Sequence, residues 1–576
     1  MTTVVDSHRL TGPHLLSDRP GAALDVAITA DVDAAVEQWR REARRLLDLV
    51  GWSGEEVAAR TFEGGASLVI TAPIDGLYAA TDVNEAAWEA AAAALAGEPP
   101  PDEALVAATL RDAIVREHDP RLRALRDAAR ARDVSFLADD ELVSVGAGTG
   151  VRVWRRDDLP APTDVPWEEV HDIPVVLVSG SNGKTTSARL IAAIAGAAAL
   201  TAALTSTDGV HVGGTPLVEG DYAGPMGARI ALRDPRADIA VLETARGGIL
   251  RRGLAVERAD LTLITNIAAD HLDDFGVHDL ATLAATKLVT TRVVRPGGRV
   301  VLNADDPGLA KYALGVSPAS WFALDRATPL LAIGLTAGGD GCYVEDDALI
   351  LAQGGRPVPV ARLDAIPITL GGAARYNVSN ALGAVLAASV LGELPAGRTI
   401  TIETMAEALA AFGTVETNPG RGNLFDLGGV RVLVDYGHNP HGLTALSAAV
   451  DALPSRRRLV VVGQAGDRGD ESIRELARAA WRLAPDRIVL KELPTLYRGR
   501  QPGSVRALLA GEFRRLGLPA EELVEVNTEL EALEAALQWA EPGDMVVMLT
   551  HEDRPGVMER LDALAARGAP QERSTR

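Results

Sequence analysis

The chain has 576 residues, of which 47% are hydrophobic and 24% charged, a composition typical of globular rather than disordered proteins. Its formal net charge of −22 disfavours nucleic acid as a main partner, because phosphate backbones are bound by basic faces. The single cysteine, Cys342, excludes an internal disulfide and a cysteine-built metal site. No apolar run is long or hydrophobic enough to cross a membrane and the N-terminus lacks signal-peptide character, so we expect a cytoplasmic protein.

The length suggests about three or four domains. Residues 1–157 combine strand-like runs such as ALDVAI and ASLVITA with helical runs such as DAAVEQWRREARRLLDLV, which predicts a small α+β domain. Residues 158–174 hold four prolines among acidic residues and are predicted to be a linker.

Buried-type strands alternate with helices from residue 175 to residue 416, including DIAVLETA, DLTLITNI and GRVVLNADD. Such strands predict a parallel sheet covered on both faces, with an antiparallel annex over about residues 321–370. Residues 417–576 contain four more strands of this kind and predict a second, Rossmann-like α/β domain without a GxGxxG motif. The fold class is therefore multidomain α/β.

The run VVLVSGSNGKTTS predicts a phosphate-binding loop between a strand and a helix. Gly180 and Gly183 allow the backbone N–H groups to face a phosphate, and the helix that follows points its positive end at the same place. We expect Lys184 to reach the β- and γ-phosphates and Thr185 to bind Mg²⁺. The loop is shorter than the usual P-loop, since Val178 occupies the place of the first glycine.

Two further strand ends carry candidate site residues. Glu243 ends one strand, where open α/β sheets bind ligands, and its carboxylate suits Mg²⁺. Asp270 and His271 follow the next strand, and Lys287 comes sixteen residues after His271. Lysine occurs only at 184, 287, 311 and 491, which draws attention to Lys184 and Lys287 as sites where the ammonium itself matters.

The motifs GSNGKTT, DHL with a later lysine, NADDP, NVSNALGA, PGR and DYGHNP occur in the order found in Mur ligases. In more detail, residues 174–570 resemble the Mur-ligase half of the cyanophycin synthetases, through stretches such as VLETARGGILRRGL and GDRGDESIRELAR. RLTGPHLLSDRPG resembles the start of their N-terminal domain. The ATP-grasp domain of that family, which adds aspartate, is lacking between the two parts, so this chain is not expected to build an Asp-Arg polymer by itself.

The resemblance implies ATP and Mg²⁺ as cofactors and assigns roles to individual residues. Lys184, Glu243, His271 and Lys287 are the implied catalytic residues. One Mg²⁺ is assigned to Thr185 and Glu243, and a second to His271. Lys287 matches a lysine that is carbamylated in several Mur ligases; an unmodified lysine paired with a phosphate oxygen is the alternative. The implied nucleotide contacts are Gly180, Ser181, Asn182, Gly183, Lys184, Thr185, Thr186, Asn377, Asn380, Arg421 and Asp435.

Several of these assignments have structural alternatives. Asn377 and Asn380 would lie along the adenine, although Asn377 also suits a helix N-cap. Arg421 and Asp435 match hinge and nucleotide contacts. His438 and Asn439 are candidates to face the substrate. Asp467, Arg468, Arg498 and Arg500 are candidates to bind the incoming amino compound, with a solvated charged loop as the alternative.

The sequence thus predicts an ATP-dependent, ADP-forming ligase that joins an amino-acid-like amine to a carboxylate through an acyl phosphate. The predicted partners are small amino-acid or peptide substrates, with no nucleic acid and no membrane; a homo-oligomer is left open. Two alternatives remain: a non-catalytic scaffold for a separate ATP-grasp ligase, and a P-loop switch that only hydrolyses ATP.

Overall fold

The computed structural model describes residues 2–29, 31–99, 101–270, 272, 276–392 and 394–568. It divides the chain into two units. The first unit holds residues 1–322 with 329–334 and 383–401, and the second holds residues 323–328, 335–382 and 402–576.

The N-terminal part of the first unit is one antiparallel sheet covered by two helices. Its strands lie in the order β1-β2-β4-β3. Trp39 of the first helix is fully buried, and its indole N–H donates to Asn84 of the second at 3.0 Å. The elements are β1 Thr2–Leu10, β2 Gly21–Ile28, α1 Val32–Leu49, β3 Val57–Phe62, β4 Gly65–Thr71 and α2 Leu77–Ala96. The predicted α+β character is confirmed.

A small second layer follows, made of α3 Glu103–Glu117, α4 Pro120–Ala131, β5 Phe136–Ala138, β6 Leu142–Val145 and β7 Arg152–Arg155. The stretch 158–174, predicted to be a linker, contributes Leu159, Val165 and Val170 to the core of this layer. Its prolines introduce short 3₁₀ turns, and Trp167 donates to the Pro162 carbonyl at 2.7 Å. The stretch is therefore packed structure and not a solvated tether.

The central sheet of the first unit carries the predicted phosphate loop. Its strands lie in the order β11-β10-β9-β12-β8-β13-β14-β15, and all from β9 to β15 in that order are parallel. The elements are β8 Val175–Ser179, α5 Lys184–Ala197, β9 Ala202–Ser206, β10 Gly209–Val212, β11 Thr215–Glu219, α6 Pro225–Leu232, β12 Ile239–Glu243, α7 Arg246–Arg252, β13 Ala259–Ile264, α8 Leu280–Arg292, β14 Val294–Asn303, α9 Pro307–Tyr312 and β15 Ala319–Asp325. The first strand, β8, lies between β12 and β13, so later strands are added to the sheet on both sides of it. At such a switch point a crevice opens at the carboxyl ends of the strands.

The predicted annex is an antiparallel meander in which β16 pairs with β17 and β17 pairs with β18. Cys342 is buried in its first strand. The elements of this stretch are α10 Pro329–Thr336, β16 Gly341–Glu345, β17 Ala348–Gln353, β18 Arg356–Arg362, α11 Arg375–Ser389 and α12 Ile402–Ala411.

The C-terminal sheet of the second unit has the order β19-β20-β24-β21-β22-β23 and is parallel except for β19. Its elements are β19 Asn423–Leu427, β20 Val430–Asp435, α13 Pro440–Asp451, β21 Arg458–Val462, α14 Asp470–Trp481, β22 Arg487–Lys491, α15 Ser504–Arg515, β23 Leu523–Val526, α16 Glu529–Trp539, β24 Met545–Leu549 and α17 Arg554–Gly568. The predicted α/β fold class is confirmed. None of the helices described combines the length and the apolarity that a membrane crossing requires.

Candidate active site

The predicted phosphate loop joins the buried strand β8 to the helix α5. Gly180 has φ 144° and Gly183 has φ 82°, values in the region that favours glycine. A Cβ on Gly180 would collide with the Thr265 hydroxyl, so the backbone approaches its neighbour as closely as glycine permits. Thr185 and Thr186 are buried in the first turn of α5. The loop and the positive end of a fourteen-residue helix thus form an anion-binding cradle.

The end of β13 holds this loop in place. The Thr265 hydroxyl donates to the Asn182 carbonyl at 2.6 Å, and the Asn266 side chain both accepts from the Asn182 N–H (2.9 Å) and donates to its carbonyl (3.0 Å). The Ser181 hydroxyl donates to the Ala268 carbonyl at 2.8 Å. The cradle is therefore preorganised by the neighbouring strand end. We did not predict Thr265 or Asn266 as site residues; the polar pair directly after an apolar strand was the available signal.

Both lysines predicted as catalytic contact the loop, Lys184 from the start of α5 and Lys287 from α8. Lys184 donates to the Ser181 carbonyl at 3.2 Å, and Lys287 donates to the Gly180 carbonyl at 2.8 Å. Burial lowers the pKa of Lys287 well below its ordinary value, and the charge of Lys184 lowers it further, while Asp270 opposes the shift. The loop is thus lined by one ammonium and by one amine that is easily neutral.

Thr185 and Glu243 meet at the carboxyl edge of β8 and β12. The Thr185 hydroxyl donates to the Glu243 carboxylate at 2.8 Å, and both side chains are buried. The Thr207 hydroxyl lies 3.5 Å from that of Thr185. Among the residues that the structure describes, no three acidic, histidine or cysteine side chains form a metal cage. One carboxylate with hydroxyl oxygens beside a phosphate cradle fits Mg²⁺, which usually keeps substrate phosphates and waters as its other ligands.

His271, predicted to bind a second metal ion, lies outside the described residues. Arg246 is a residue of this region that the prediction missed. It opens α7, three residues after Glu243, and is buried. The charge of Arg246 lowers the pKa of Lys287, so Arg246 lies close enough to act electrostatically on this part of the site. The available signal was an arginine next to glycines in LETARGG, directly after a strand.

Asn377 and Asn380 lie side by side on α11 in the second unit. The Asn377 amide donates to the Ile368 carbonyl at 3.0 Å, and Asn380 donates to Asn377 at 3.1 Å. Asn377 is the third residue of the helix, not its N-cap, so the structural alternative for it is not supported. Both side chains are buried, and together they form a polar patch on one face of the helix.

Arg421 and Asp435 come together beside this helix. The Asp435 carboxylate accepts from the Gly437 N–H at 2.9 Å and from the Tyr376 hydroxyl at 3.3 Å. Burial raises the pKa of Asp435, against the opposing effects of Gly437 and the Arg421 charge. The Arg421 guanidinium lies over the Tyr436 ring, 4.5 Å from its centre. Tyr376 joins α11 to the end of β20 and was not predicted.

His438 and Asn439 follow in the same loop but differ in role. Asn439 is the N-cap of α13 and accepts from the Gly442 N–H at 2.8 Å. The His438 ring packs against Tyr436 with centres 5.2 Å apart. The structure therefore gives Asn439 a capping function and leaves His438 as the candidate to face a ligand.

Asp467, Arg468, Arg498 and Arg500 are brought together by the loops after β21 and β22. Arg498 forms an ion pair with Asp467. Arg500 donates to the Gly466 carbonyl at 2.9 Å and to the Arg468 carbonyl at 2.5 Å, so it ties the two loops to each other. Arg498 is about half exposed and has φ +46°, a conformation that non-glycine residues seldom adopt.

The buried ion pair of Lys491 and Glu529 was not predicted. Lys491, at the end of β22, bonds to Glu529 and to the Leu549 carbonyl, and both charged side chains are fully buried. Glu529 also accepts from the N–H groups of His551 (2.6 Å) and Asp553 (2.8 Å). The pair thus fixes the turn that follows β24.

Two family models match the chain. The Mur ligase middle domain covers residues 178–388, and the glutamate ligase domain of the Mur ligases covers residues 420–550. The first range contains the phosphate loop with Thr185, Glu243 and Lys287, and the second contains Asp435.

Two relatives found by sequence agree with these models. A cyanophycin synthetase of Trichormus variabilis is 35% identical over 422 residues, which cover 71% of this chain and 46% of that protein. The UDP-N-acetylmuramate–L-alanine ligase of Roseiflexus sp. is 29% identical over 463 residues, covering 76% of this chain and 86% of that protein. E. coli FolC in complex with ADP is 20% identical with a TM-score of 0.49, covering 69% of this chain and 90% of that one.

The chain spans about half the length of the cyanophycin synthetases that it matches. The two family models nevertheless account for both sheets that carry the candidate residues. The chain belongs to the Mur ligase family.

Proposed function

We propose that this protein is an ATP- and Mg²⁺-dependent ligase that forms an amide bond and releases ADP and phosphate. The observation that carries the proposal is the cradle itself: a glycine loop at a helix N-terminus, with the Lys184 and Lys287 side chains against the loop and Thr185 hydrogen-bonded to Glu243 beside it. Membership of the Mur ligase family supports the same reaction class.

The proposed reaction has two steps. A carboxylate oxygen of the acceptor attacks the γ-phosphorus of ATP, the bond to the β-phosphate oxygen breaks, and ADP leaves. The amine then attacks the carbonyl carbon of the acyl phosphate; phosphate leaves, and the nitrogen loses a proton. Because anionic carboxylate and phosphate repel each other, the protein must neutralise charge and align the groups.

The chain's own residues would divide this work. The loop amides and Lys184 would hold the β- and γ-phosphates, and Arg246 would add positive charge to the same crevice. Thr185 and Glu243 would hold one Mg²⁺, and His271 a second; bound there, the ions offset the charge of the transferred phosphoryl group. Asn377, Asn380, Arg421 and Asp435 are proposed to contact the nucleotide.

The proposed substrates are an amino-acid or peptide carboxylate and an amino-acid-like amine. An acceptor related to a β-aspartyl or arginyl peptide is suggested by similarity to the cyanophycin synthetases. The charged loops with Asp467, Arg468 and Arg498 support recognition of a zwitterionic amine, with His438 nearby in the same set of loops. A cytoplasmic location belongs to the same proposal.

The other two functions have less support. A scaffold would not need a buried Thr185–Glu243 pair suited to Mg²⁺, nor the Asn266 hydrogen bonds that fix the phosphate loop beside it. A switch that hydrolyses ATP would not need the paired loops of the second unit.

The test is ADP release by purified protein, offered ATP and Mg²⁺ with pairs of amino acids and short Asp/Arg peptides. We expect release only when an acceptor and an amine are both present, with an amide product in equal amount by mass spectrometry. Release with ATP alone would identify a hydrolysing switch, and no release together with tight nucleotide binding would favour a scaffold.

Lys184→Ala and His271→Ala should each abolish ADP release while leaving the circular dichroism spectrum unchanged. Lys311→Ala is the matched control, because Lys311 is exposed on α9. An active Lys184→Ala enzyme would show that the loop is not the phosphate site.

A further inference from the structure

The helix α7 directly follows Glu243 and begins with Arg246, yet it has only seven residues. A helix of this length is unstable alone, and its last carbonyl groups have no partner within the helix. The N-terminal segment supplies the partners. His8 and His14 each contact the Leu250 carbonyl through Nε2, at 3.3 and 3.0 Å, and the Thr11 N–H donates to the Arg252 carbonyl at 2.8 Å.

The backbones of the two segments touch. The Leu254 N–H donates to the Pro13 carbonyl at 2.8 Å. A Cβ on Gly12 would collide with the Leu254 carbonyl oxygen, and one on Gly253 would collide with that of Gly12. The Thr11 hydroxyl donates to the Arg252 carbonyl at 3.1 Å and accepts from Arg229 at 2.7 Å. Such contacts leave little room for α7 to move independently.

The hydrogen bonds of His14 identify its tautomer. Its Nδ1 accepts from the Leu16 N–H at 3.3 Å, so the proton of the neutral ring lies on Nε2, where it is donated to Leu250. Burial lowers the pKa of His14 to about 3, which keeps the ring neutral and in this role.

The same N-terminal region also contacts the segments on either side of Lys287. Arg60 donates to the Gly276 carbonyl at 2.5 Å, and the Phe62 ring lies 5.3 Å from that of His278. Arg292, at the end of α8, bonds to the His14 carbonyl and forms an ion pair with Asp18 at 3.0 Å. Three segments near the phosphate site therefore contact the N-terminal sheet and its first loop. They are α7, residues 276–278 and the end of α8.

We propose that the segment His8–His14 positions α7, and through it Glu243 and Arg246, for the binding of magnesium nucleotide. Thr11 and His14 are the positioning residues; neither contacts the reacting atoms. The inference rests on the proposed function for the identity of the ligand, but it concerns how the site is held and not which substrates are joined.

Two pairs of variants test it. Thr11→Val removes the hydroxyl at nearly constant volume and Thr11→Ser retains it; His14→Leu removes the Nε2 donor and His14→Gln retains an amide donor. Thr109→Val is the control, because the Thr109 hydroxyl donates to Leu105 within α3. Each protein is titrated with ADP at graded Mg²⁺ by calorimetry, and hydrogen exchange of residues 246–254 is followed without nucleotide.

We expect Thr11→Val and His14→Leu to weaken Mg²⁺-dependent ADP binding about tenfold, the lower end of the effect of removing residues that orient metal ligands. Exchange in residues 246–254 should be faster. Thr11→Ser, His14→Gln and Thr109→Val should stay near wild type. If His14→Leu fails to fold, the Thr11 pair decides.

Wild-type binding in Thr11→Val, with or without faster exchange, would overturn the positioning role. So would an equal loss in Thr11→Ser, since the hydroxyl would then be irrelevant. Absence of ligation by the wild-type protein would count against the proposed function, whereas the calorimetry would still decide this inference.

Discussion

Lysine usage is informative at the level of single residues. The chain has four lysines, and Lys287 and Lys491 are buried while Lys184 lies on the phosphate loop. The scarcity of lysine drew attention to Lys184 and Lys287, and both donate to carbonyl groups of the phosphate loop. Lysine scarcity did not indicate a role for Lys491, because nothing in the local sequence KELPTLY shows that its partner is Glu529, thirty-eight residues later.

Lys287 is expected to be active as a carbamate. Its buried amine has a lowered pKa, and the neutral form is the one that adds CO₂. The charges of Lys184 and Arg246, which disfavour an ammonium at this place, would stabilise the anionic carbamate. ATP turnover should fall several-fold in buffers stripped of CO₂ and return with bicarbonate, measured by ADP release.

Lys287→Ala should be inactive and partly restored by a short carboxylic acid that fills the same space. Lys311→Ala should respond to CO₂ removal as the wild type does. Turnover independent of CO₂, together with an Ala variant that no carboxylate restores, would instead support an unmodified lysine paired with phosphate.

The glycine turn of the loop could be predicted because it depends on local backbone geometry, which the positive φ angles of Gly180 and Gly183 show. The clamp by Thr265 and Asn266 could not, since it exists only because β13 lies next to β8 in the sheet. Strand order is a property of the whole sheet, and a single sequence does not state it.

At the level of elements, apolar runs predicted the strands well, because parallel strands are buried on both faces and read as continuous hydrophobic segments. The stretch 158–174 was predicted to be a linker, without any indication that part of it is buried. Prolines and acidic residues are common to linkers and to short 3₁₀ turns, and only the burial of Leu159, Val165 and Val170 distinguishes the two.

Lys491→Met should destabilise the turn after β24. Removing one partner of a buried ion pair costs about 3–5 kcal/mol, because the other charge is left without compensation. Burial opposes the ionisation of Glu529, while the Lys491 charge and the hydrogen bond from the His551 N–H keep its pKa below the ordinary value. Denaturant unfolding and hydrogen exchange of residues 550–553 measure the effect.

Arg362→Gln is the control for that variant, because the Arg362–Asp364 pair is largely exposed and should contribute little to stability. The double variant Lys491→Met, Glu529→Gln should recover part of the loss. Equal stabilities of Lys491→Met and Arg362→Gln would mean that the buried pair does not hold the turn.

At the scale of the whole molecule, the fold class followed from the alternation of strands and helices and from the family motifs. The attachment of the N-terminal sheet to α7 could not be predicted in this way. It depends on hydrogen bonds between residues about 240 positions apart, such as His8 and Leu250, whose separation leaves no periodic signal.

Acid should destabilise both units. Burial lowers the pKa of His14 and of His551 to about 3, whereas an unfolded histidine titrates near 6.5. Below pH 6.5 the unfolded chain therefore binds protons that the folded chain does not, and stability falls as the pH drops towards 3. Each histidine should cost about 2 kcal/mol between pH 7 and pH 5.

Thermal unfolding at the two pH values measures this loss. His14→Gln should show a smaller loss than the wild type, and His441→Gln, at an exposed histidine of α13, should show the full loss. The same pH dependence in all three proteins would contradict the assignment to His14.

The shared hydrogen bonds of Leu250 also limit how this protein can be divided. A shortened version beginning at residue 158 would keep every residue of the phosphate loop and yet leave α7 frayed beside it. Grafting the opening hundred residues from a relative would work only if α7 were exchanged with them. The two parts would therefore have to be exchanged together, even though their contacting residues lie about 240 positions apart in the chain.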